Sequence, residues 1–450
     1  MASSPSTSLS LRGGKDPVHE RLADAIEGLI ATGRYSRGDR LPTHREISRD
    51  ANVAIGTVTK AIDLLERRGI VRGETGRGTF VNLPAELDDR IIDLNFNVPL
   101  PVVDEPAFRA AAGLAASRLG NVPNGGYPEP GGGADQRQAL ATWLASTRLG
   151  VSPEDLLVTV GGQHGIHLAM ADLAATTRTI ATEAATFSGA IAAARSLGLK
   201  LEPVDHDTEG MIPDALGRTL KKTGCKAVYM TPVCQNPFGF ETGAERRKDI
   251  VEICRRHDAF IIEDDIYSIY AQTNARPFYE LAPERVYYLN GLSKSLTPLV
   301  RVGVLVPPPE RRPALASRIR AEVWGASPFD IEVARALFDA ELHVRAREIL
   351  RTEAKHRVTL AQKALGLRDL PMLQGAPHIW LPMATDAAES LARRALERGV
   401  RITPPDATAV GGEKSGGVRL CLMAPAQRSS LERGLRILAE LSRNPSVDIV

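Results

Sequence analysis

Over roughly 360 residues, from Asp93 to Val450, short apolar runs alternate with longer stretches of helical periodicity, and that alternation commits most of the chain to an α/β architecture. The runs are Leu156–Val160, Thr179–Thr182, Ala227–Met230, Phe260–Glu263, Val286–Leu289 and Gly303–Val306. No internal repeat or low-complexity block interrupts them.

The chain has 450 residues, of which 43% are apolar and 24% charged, so a sizeable core is available and a single small module or a disordered chain is excluded. No run approaches the ~18 apolar residues that span a bilayer, and Met1–Gly14 lacks the apolar block of a secretory signal. A cytoplasmic location is expected. The four cysteines, Cys225, Cys234, Cys254 and Cys421, form no C-x-x-C pair, which points to reduced thiols rather than a zinc ribbon or disulfide framework.

The first 82 residues read differently. There, 13 Lys and Arg face 10 Asp and Glu, a net charge of +3, against 43 and 44 in the remainder. The sign suits a DNA-contacting head on a neutral body. Asp16-Pro17 starts a helix carrying Val18, Leu22, Ile26, Leu29 and Ile30 at helical spacing and ending near Gly33. After a turn at Gly38-Asp39, Thr43 and Glu46 form a capping box for a short second helix through about Arg49. A third helix buries Val58, Ile62 and Leu65, presents Thr59, Lys60 and Asp63 elsewhere, and ends at Gly69. Two short strands flank the hairpin tip Gly73–Gly78, which carries Arg77. Three short helices and a basic hairpin describe a winged helix-turn-helix, whose third helix enters the major groove while the hairpin reaches the minor groove.

The run Gly38–Pro42 with Thr43, Arg45 and Glu46, then Thr57-Val58, Leu65-Glu66, Gly69 and Gly76–Val81, resembles the GntR family of bacterial regulators. The resemblance implies that Arg45 contacts a phosphate or base edge, that Thr57, Thr59 and Lys60 belong to the DNA-facing surface, and that Arg77-Gly78 forms the wing contact. Ala54-Ile55-Gly56 departs from the serine cap and polar start usual in that family.

In the body, four segments at strand ends carry chemistry. Gly161-Gly162-Gln163 follows a strand and opens a helix, so its free N–H groups can bind an anion. Gln235-Asn236-Pro237 places an amide on a rigid turn, Asp264 and Tyr267 end another strand, and Ser293-Lys294 supplies a hydroxyl and an amine, with Arg301 and Gly303 shortly after. His164 and His167 have a spacing that suits a metal, but with no carboxylate or cysteine nearby in sequence a packing or polar-lining role is favoured and no metal is expected.

In this order and spacing the segments resemble the class I and II aminotransferases, fold type I of the pyridoxal-phosphate (PLP) enzymes. The resemblance implies a mostly parallel sheet in a large lobe, with a smaller α/β lobe. It implies PLP as cofactor, with Lys294 as its Schiff-base lysine, Asp264 on the ring nitrogen, and Asn236 and Tyr267 on the phenolic oxygen. Ser293, Arg301 and Gly161-Gly162-Gln163 would hold the phosphate, Phe187 would stack on the ring, and Tyr127 would reach the neighbouring subunit's phosphate. Arg419 would clamp a substrate or effector carboxylate. Gly291 stands where the family often has Ser or Thr, and Ala185 where it usually has proline.

A GntR-type head on an aminotransferase-like body is the architecture of the MocR family of transcriptional regulators. The expected organisation is an N-terminal segment 1–15, a head 16–82, a linker 83–92 and a PLP-binding body 93–450. The family likeness implies a homodimer on operator DNA that senses an amino compound or PLP through an internal-to-external aldimine switch at Lys294. The alternative is a catalytically active aminotransferase acting on an amino acid, on which the head is secondary.

Overall fold

The computed structural model describes residues 17–31, 34–35, 39–67, 70–74, 78–81, 91–120, 127–367, 375–411 and 416–443. The chain forms two compact units, Met1–Arg90 and Ile91–Val450.

In the first unit, helices α1 (Val18–Ala31), α2 (His44–Asp50) and α3 (Ile55–Arg67) precede a hairpin of β1 (Val71–Glu74) and β2 (Gly78–Val81). The capping box forms: the Thr43 hydroxyl accepts from the Glu46 N–H at 3.4 Å, and the Glu46 carboxylate accepts from the Thr43 N–H at 2.7 Å. The α3 side chains Val58, Ile62 and Leu65 are buried with Leu22, Ile26, Ile47, Val71 and Val81, while Thr59, Lys60 and Asp63 stay exposed. The Leu41 N–H donates to Thr79 O and the Val81 N–H to Asp39 O, so residues 39–41 lie along the hairpin and tie the wing to the helices. Gly78 has a φ of +118°, and a Cβ there would lie 2.7 Å from Arg40 Nε, so the start of β2 requires glycine. This is a winged helix-turn-helix. Gly38, Gly69, Arg77 and most of the expected linker lie outside the described residues.

The second unit is built on a seven-stranded sheet. Its strands are β3 (Leu157–Thr159), β4 (Thr179–Glu183), β5 (Lys200–Val204), β6 (Ala227–Met230), β7 (Phe260–Asp264), β8 (Val286–Gly291) and β9 (Gly303–Val306), in spatial order β3-β9-β8-β7-β6-β4-β5. β4 to β8 run parallel wherever they neighbour one another, whereas β9 is antiparallel to both β8 and β3. Alternate residues feed two cores: Val228, Ile261, Tyr288 and Val304 on one face, and Tyr229, Ile262, Tyr287 and Leu305 on the other. Burial on both faces explains why these strands read as continuous apolar runs. The six expected strands are present with ends shifted by at most two residues. β5 was not among them. It is an edge strand with half-exposed Glu202 and Pro203, the residues an edge tolerates and an apolar-run criterion passes over.

A smaller lobe pairs β10 (His378–Pro382) antiparallel with β11 (Gly417–Cys421), and the short strand Ile92–Asp93 parallel with Val400–Arg401. Its core joins Ile92 and Leu94 to Val358, Ile379, Leu420 and Leu435. No helix among the described residues is long and apolar enough to cross a membrane.

Candidate cofactor site

The parallel strands end at one edge of the sheet, where open α/β sheets place their ligands. Antiparallel β9 starts at that edge, which brings Arg301 to the position where β3 and β8 finish. Gly303 sits between them, opposite Gly291 and Thr159, and a Cβ there would lie 2.6 Å from the Gly161 carbonyl carbon. Gly161, with φ +72°, would place a Cβ 2.7 Å from Arg301 Nη2. The two glycines therefore let the helix α4 (Gly161–Leu173), the β9 backbone and the Arg301 guanidinium meet. Arg301 Nη1 donates to Ser293 Oγ at 3.0 Å. A cation, a hydroxyl and a helix N-terminus are thus gathered at one end of a cavity, a set suited to a phosphate.

At the end of β7, Asp264 is buried. Its Oδ2 accepts from the Tyr229 hydroxyl at 2.7 Å and its Oδ1 from the Ile266 N–H at 3.3 Å. Burial pushes its pKa up to about 6 against the opposing pull of these bonds. Lys294, just beyond β8, donates to the backbone carbonyl of Asn97. Burial, with Arg419 and Arg301 also near, brings its amine down to about 8. Tyr267 accepts from Asn97 Nδ2 at 2.9 Å, and burial raises its pKa well above the ordinary phenol value. Asn236 accepts through Oδ1 from Arg419 Nη1, while Arg419 Nη2 donates to Asn95 O at 2.6 Å and Thr403 Oγ1 at 2.9 Å.

One cavity is lined by nine of the residues named from sequence: Gly162, Gln163, Phe187, Asn236, Asp264, Tyr267, Ser293, Lys294 and Arg301. Gly161 backs it against Arg301. The Gln163 side chain is spent on Gly189 O at 2.8 Å, which ties α4 to the helix that Phe187 caps. Arg419 reaches the cavity through Asn236 rather than lining it. Tyr127 lies outside it, 81% exposed and 4.6 Å from the Trp324 ring. Thr231, Ile266 and Ile166 also line the cavity, and Tyr229, Asn97 and His378 buttress it. Sequence reasoning gave none of these six a role, although Thr231 and Ile266 fall within its strand-end segments. Tyr229 was findable as the one residue with a polar tip in the apolar run Ala227–Met230, while nothing local marks Asn97 or His378.

His164 and His167 have a carboxylate partner that sequence proximity hid: Glu322 lies 3.4 Å from His164 Nε2 and 3.6 Å from His167 Nδ1. The Val160 N–H donates to His164 Nδ1 at 3.2 Å, so the ring hydrogen sits on Nε2, facing Glu322. Among the described residues no cluster of three or more His, Cys, Asp and Glu is arranged to hold a metal.

In the head, Arg45 is exposed on α2, Thr57 is half-buried, and Thr59 Oγ1 donates to Ile55 O at 3.2 Å and lies 3.4 Å from His44 Nδ1. Residues 18–81 match the gntR family of bacterial regulatory proteins, and residues 89–438 match aminotransferase class I and II. The pyridoxine biosynthesis transcriptional regulator PdxR of Corynebacterium glutamicum is 30% identical over 382 residues, 80% of this chain and 81% of that protein. The probable rhizopine catabolism regulatory protein MocR of Rhizobium meliloti is 26% identical over 330 residues, 65% of this chain and 66% of that protein. Among solved structures, the α-aminoadipate aminotransferase LysN of Thermus thermophilus, crystallised with N-(5'-phosphopyridoxyl)-L-leucine, superposes with a TM-score of 0.71 at 25% identity, covering 84% of this chain and 97% of that one. A winged head with a gntR-type sequence, followed in the chain by a fold type I body that matches aminotransferase class I and II, places the chain in the MocR family of transcriptional regulators.

Proposed function

We propose that the protein binds PLP at Lys294 and uses the site to sense an amino compound, or PLP itself, and so control the head's hold on operator DNA. The convergence of Lys294, Asp264 and Arg301 on one cavity carries this reading. The chemistry of the lining suits PLP: Arg301, Ser293 and the Gly161-Gly162 turn would hold the phosphate, and Asp264 the ring nitrogen. Asn236 and Tyr267 would hold the phenolic oxygen, and Phe187 would flank the ring. When bound, PLP supplies an electrophilic carbonyl on an electron-withdrawing ring.

The protein's own residues prepare that chemistry. Burial keeps a substantial fraction of Lys294 neutral near physiological pH, as a nucleophile must be. The Tyr229 hydroxyl and the Ile266 N–H fix Asp264, whose charge a protonated ring nitrogen would restore. Arg419, held behind the cavity wall by Asn236, Asn95 and Thr403, would meet a ligand carboxylate by exchanging one of these bonds. Tyr127 stands exposed, as a residue that serves a second subunit would, and the body is expected to dimerise so that two heads engage two half-sites.

The completeness of the Lys294, Asp264 and Arg419 set also supports a working aminotransferase. A transamination assay beside an operator-binding assay on one preparation separates the two. Ligand-dependent DNA binding without turnover is expected of the sensor, and turnover with ligand-indifferent DNA binding would replace it with the enzyme.

A further inference from the structure

Asn97 stands at a junction of the site that its sequence gives no hint of. It is buried, and its Nδ2 lies 2.9 Å from the Tyr267 hydroxyl and 2.8 Å from His378 Nδ1. The state of His378 decides which way the amide faces. His378 Nε2 is 3.0 Å from the backbone carbonyl of Gln235, an acceptor only, so the ring hydrogen sits on Nε2 and Nδ1 presents a lone pair. Burial holds this ring neutral, bringing its pKa down to about 3. Turning the amide over would set Asn97 Oδ1 against that lone pair. Both Nδ2 hydrogens are therefore committed, one to His378 and one to Tyr267, and Oδ1 is left buried without a partner.

The consequence falls on Tyr267. Its oxygen already accepts from Asn97, so its own hydrogen turns toward the cavity it lines beside Lys294, Asp264 and Asn236. We infer that Asn97 is a positioning residue that fixes Tyr267 as a hydrogen-bond donor toward the cofactor's phenolic oxygen, with neutral His378 holding the amide in the one orientation that does so. The inference rests on the PLP reading above.

The reversal of that bond is testable. A carboxylate at position 97 cannot donate, so Asn97→Asp turns the Tyr267 hydrogen away from the cavity. A donor to the phenolic oxygen draws charge from it and weakens its hold on the neighbouring lysine proton. Losing the donor should raise the pH midpoint of the bound cofactor's visible band by about one unit. Charged and titratable groups around Tyr267 include Arg419, Cys421 and Asp264, and a new carboxylate adds its own field, so a double-variant cycle is needed.

The experiment is a spectrophotometric pH titration of PLP-loaded wild type, Asn97→Asp, Asn97→Ala, Tyr267→Phe and the two double variants. Expected is a rise for Asn97→Asp close to that of Tyr267→Phe, a smaller rise for Asn97→Ala, and little further rise from either position-97 change once Tyr267 is Phe. An unchanged midpoint in Asn97→Asp, or a shift that survives in full on the Tyr267→Phe background, overturns the inference. If Asn97→Asp does not take up PLP, the Asn97→Ala cycle decides by the same criterion. Absence of a visible band and of a borohydride-fixed adduct in the wild type would instead overturn the PLP reading.

Discussion

Lys294 donates to the backbone carbonyl of Asn97, so the amine at the end of β8 is held by the segment that follows the head unit most closely in the chain. The same segment gives Asn95 O to Arg419, and Leu94 O to the Cys421 N–H. Groups assigned to cofactor and effector thus share their hydrogen bonds with the first residues of the body after Arg90.

Lys294→Ala should abolish the borohydride-fixed PLP adduct while leaving some reversible binding through Arg301 and Asp264. In the wild type the rate of adduct formation should climb with pH, pass its midpoint near pH 8 and level off above about pH 9, because burial brings the amine down to about 8. At pH 7 such an amine is roughly 10% neutral, hundreds of times more than an unperturbed lysine. Stopped-flow absorbance reads the rate. A rate still climbing steeply above pH 9 would mean that the reacting amine is not in this environment.

Asp264 couples stability to pH with a sign opposite to that of a salt-bridged carboxylate. Burial raises its folded pKa to about 6 from an ordinary ~3.9. The folded state thus binds the proton more tightly, and stability present below pH ~4 is lost as pH rises through 6, by up to about 3 kcal/mol. Asp264→Asn should make the cofactor-free protein more stable than wild type at pH 7 but not at pH 4, and should weaken PLP binding. Urea unfolding at the two pH values checks this, and an equal gain at both would show that ionisation is not the cause.

The six body strands and the cap of α2 were legible because each is written locally, as an apolar run or as Thr43 three residues from Glu46. The strand ends then located Asp264, Lys294 and Arg301 as well. What was hidden depends on tertiary approach. Asn97 meets Tyr267 and His378 across sequence separations of 170 and 281 residues, and Glu322 reaches His164 from another helix. β5 was hidden for a different reason, since an edge strand with Glu202 and Pro203 lacks the two-sided apolar pattern.

Arg45→Ala should weaken operator and non-specific DNA alike, because an exposed arginine on α2 that meets a phosphate contributes counterion release rather than base readout. The slope of log affinity against log salt should fall in magnitude by about 0.9. PLP absorbance should not change. Fluorescence anisotropy over a salt series provides the check, and unchanged affinity and slope would move the DNA surface away from Arg45.

Ligand and DNA should act on each other. If PLP is held by Lys294 as proposed, an amino compound taking the lysine's place would free the amine from its present environment, and a ligand carboxylate would compete for Arg419, whose partners include Asn95 O. Both changes fall on the segment leading back to Arg90, so body state and head state share a covalent path. The ligand can shift DNA affinity only by its differential affinity for the two states, typically ~1–3 kcal/mol, or roughly 5- to 150-fold. Linkage then requires operator DNA to change ligand affinity by the same factor. Titrating amino acids and amines against the visible band, with and without operator DNA, measures that factor from one side, and anisotropy with and without ligand measures it from the other. Equal, non-unit factors are expected for at least one compound. Factors of one for every compound that perturbs the band would sink the sensor reading and promote the aminotransferase, which the transamination assay then tests.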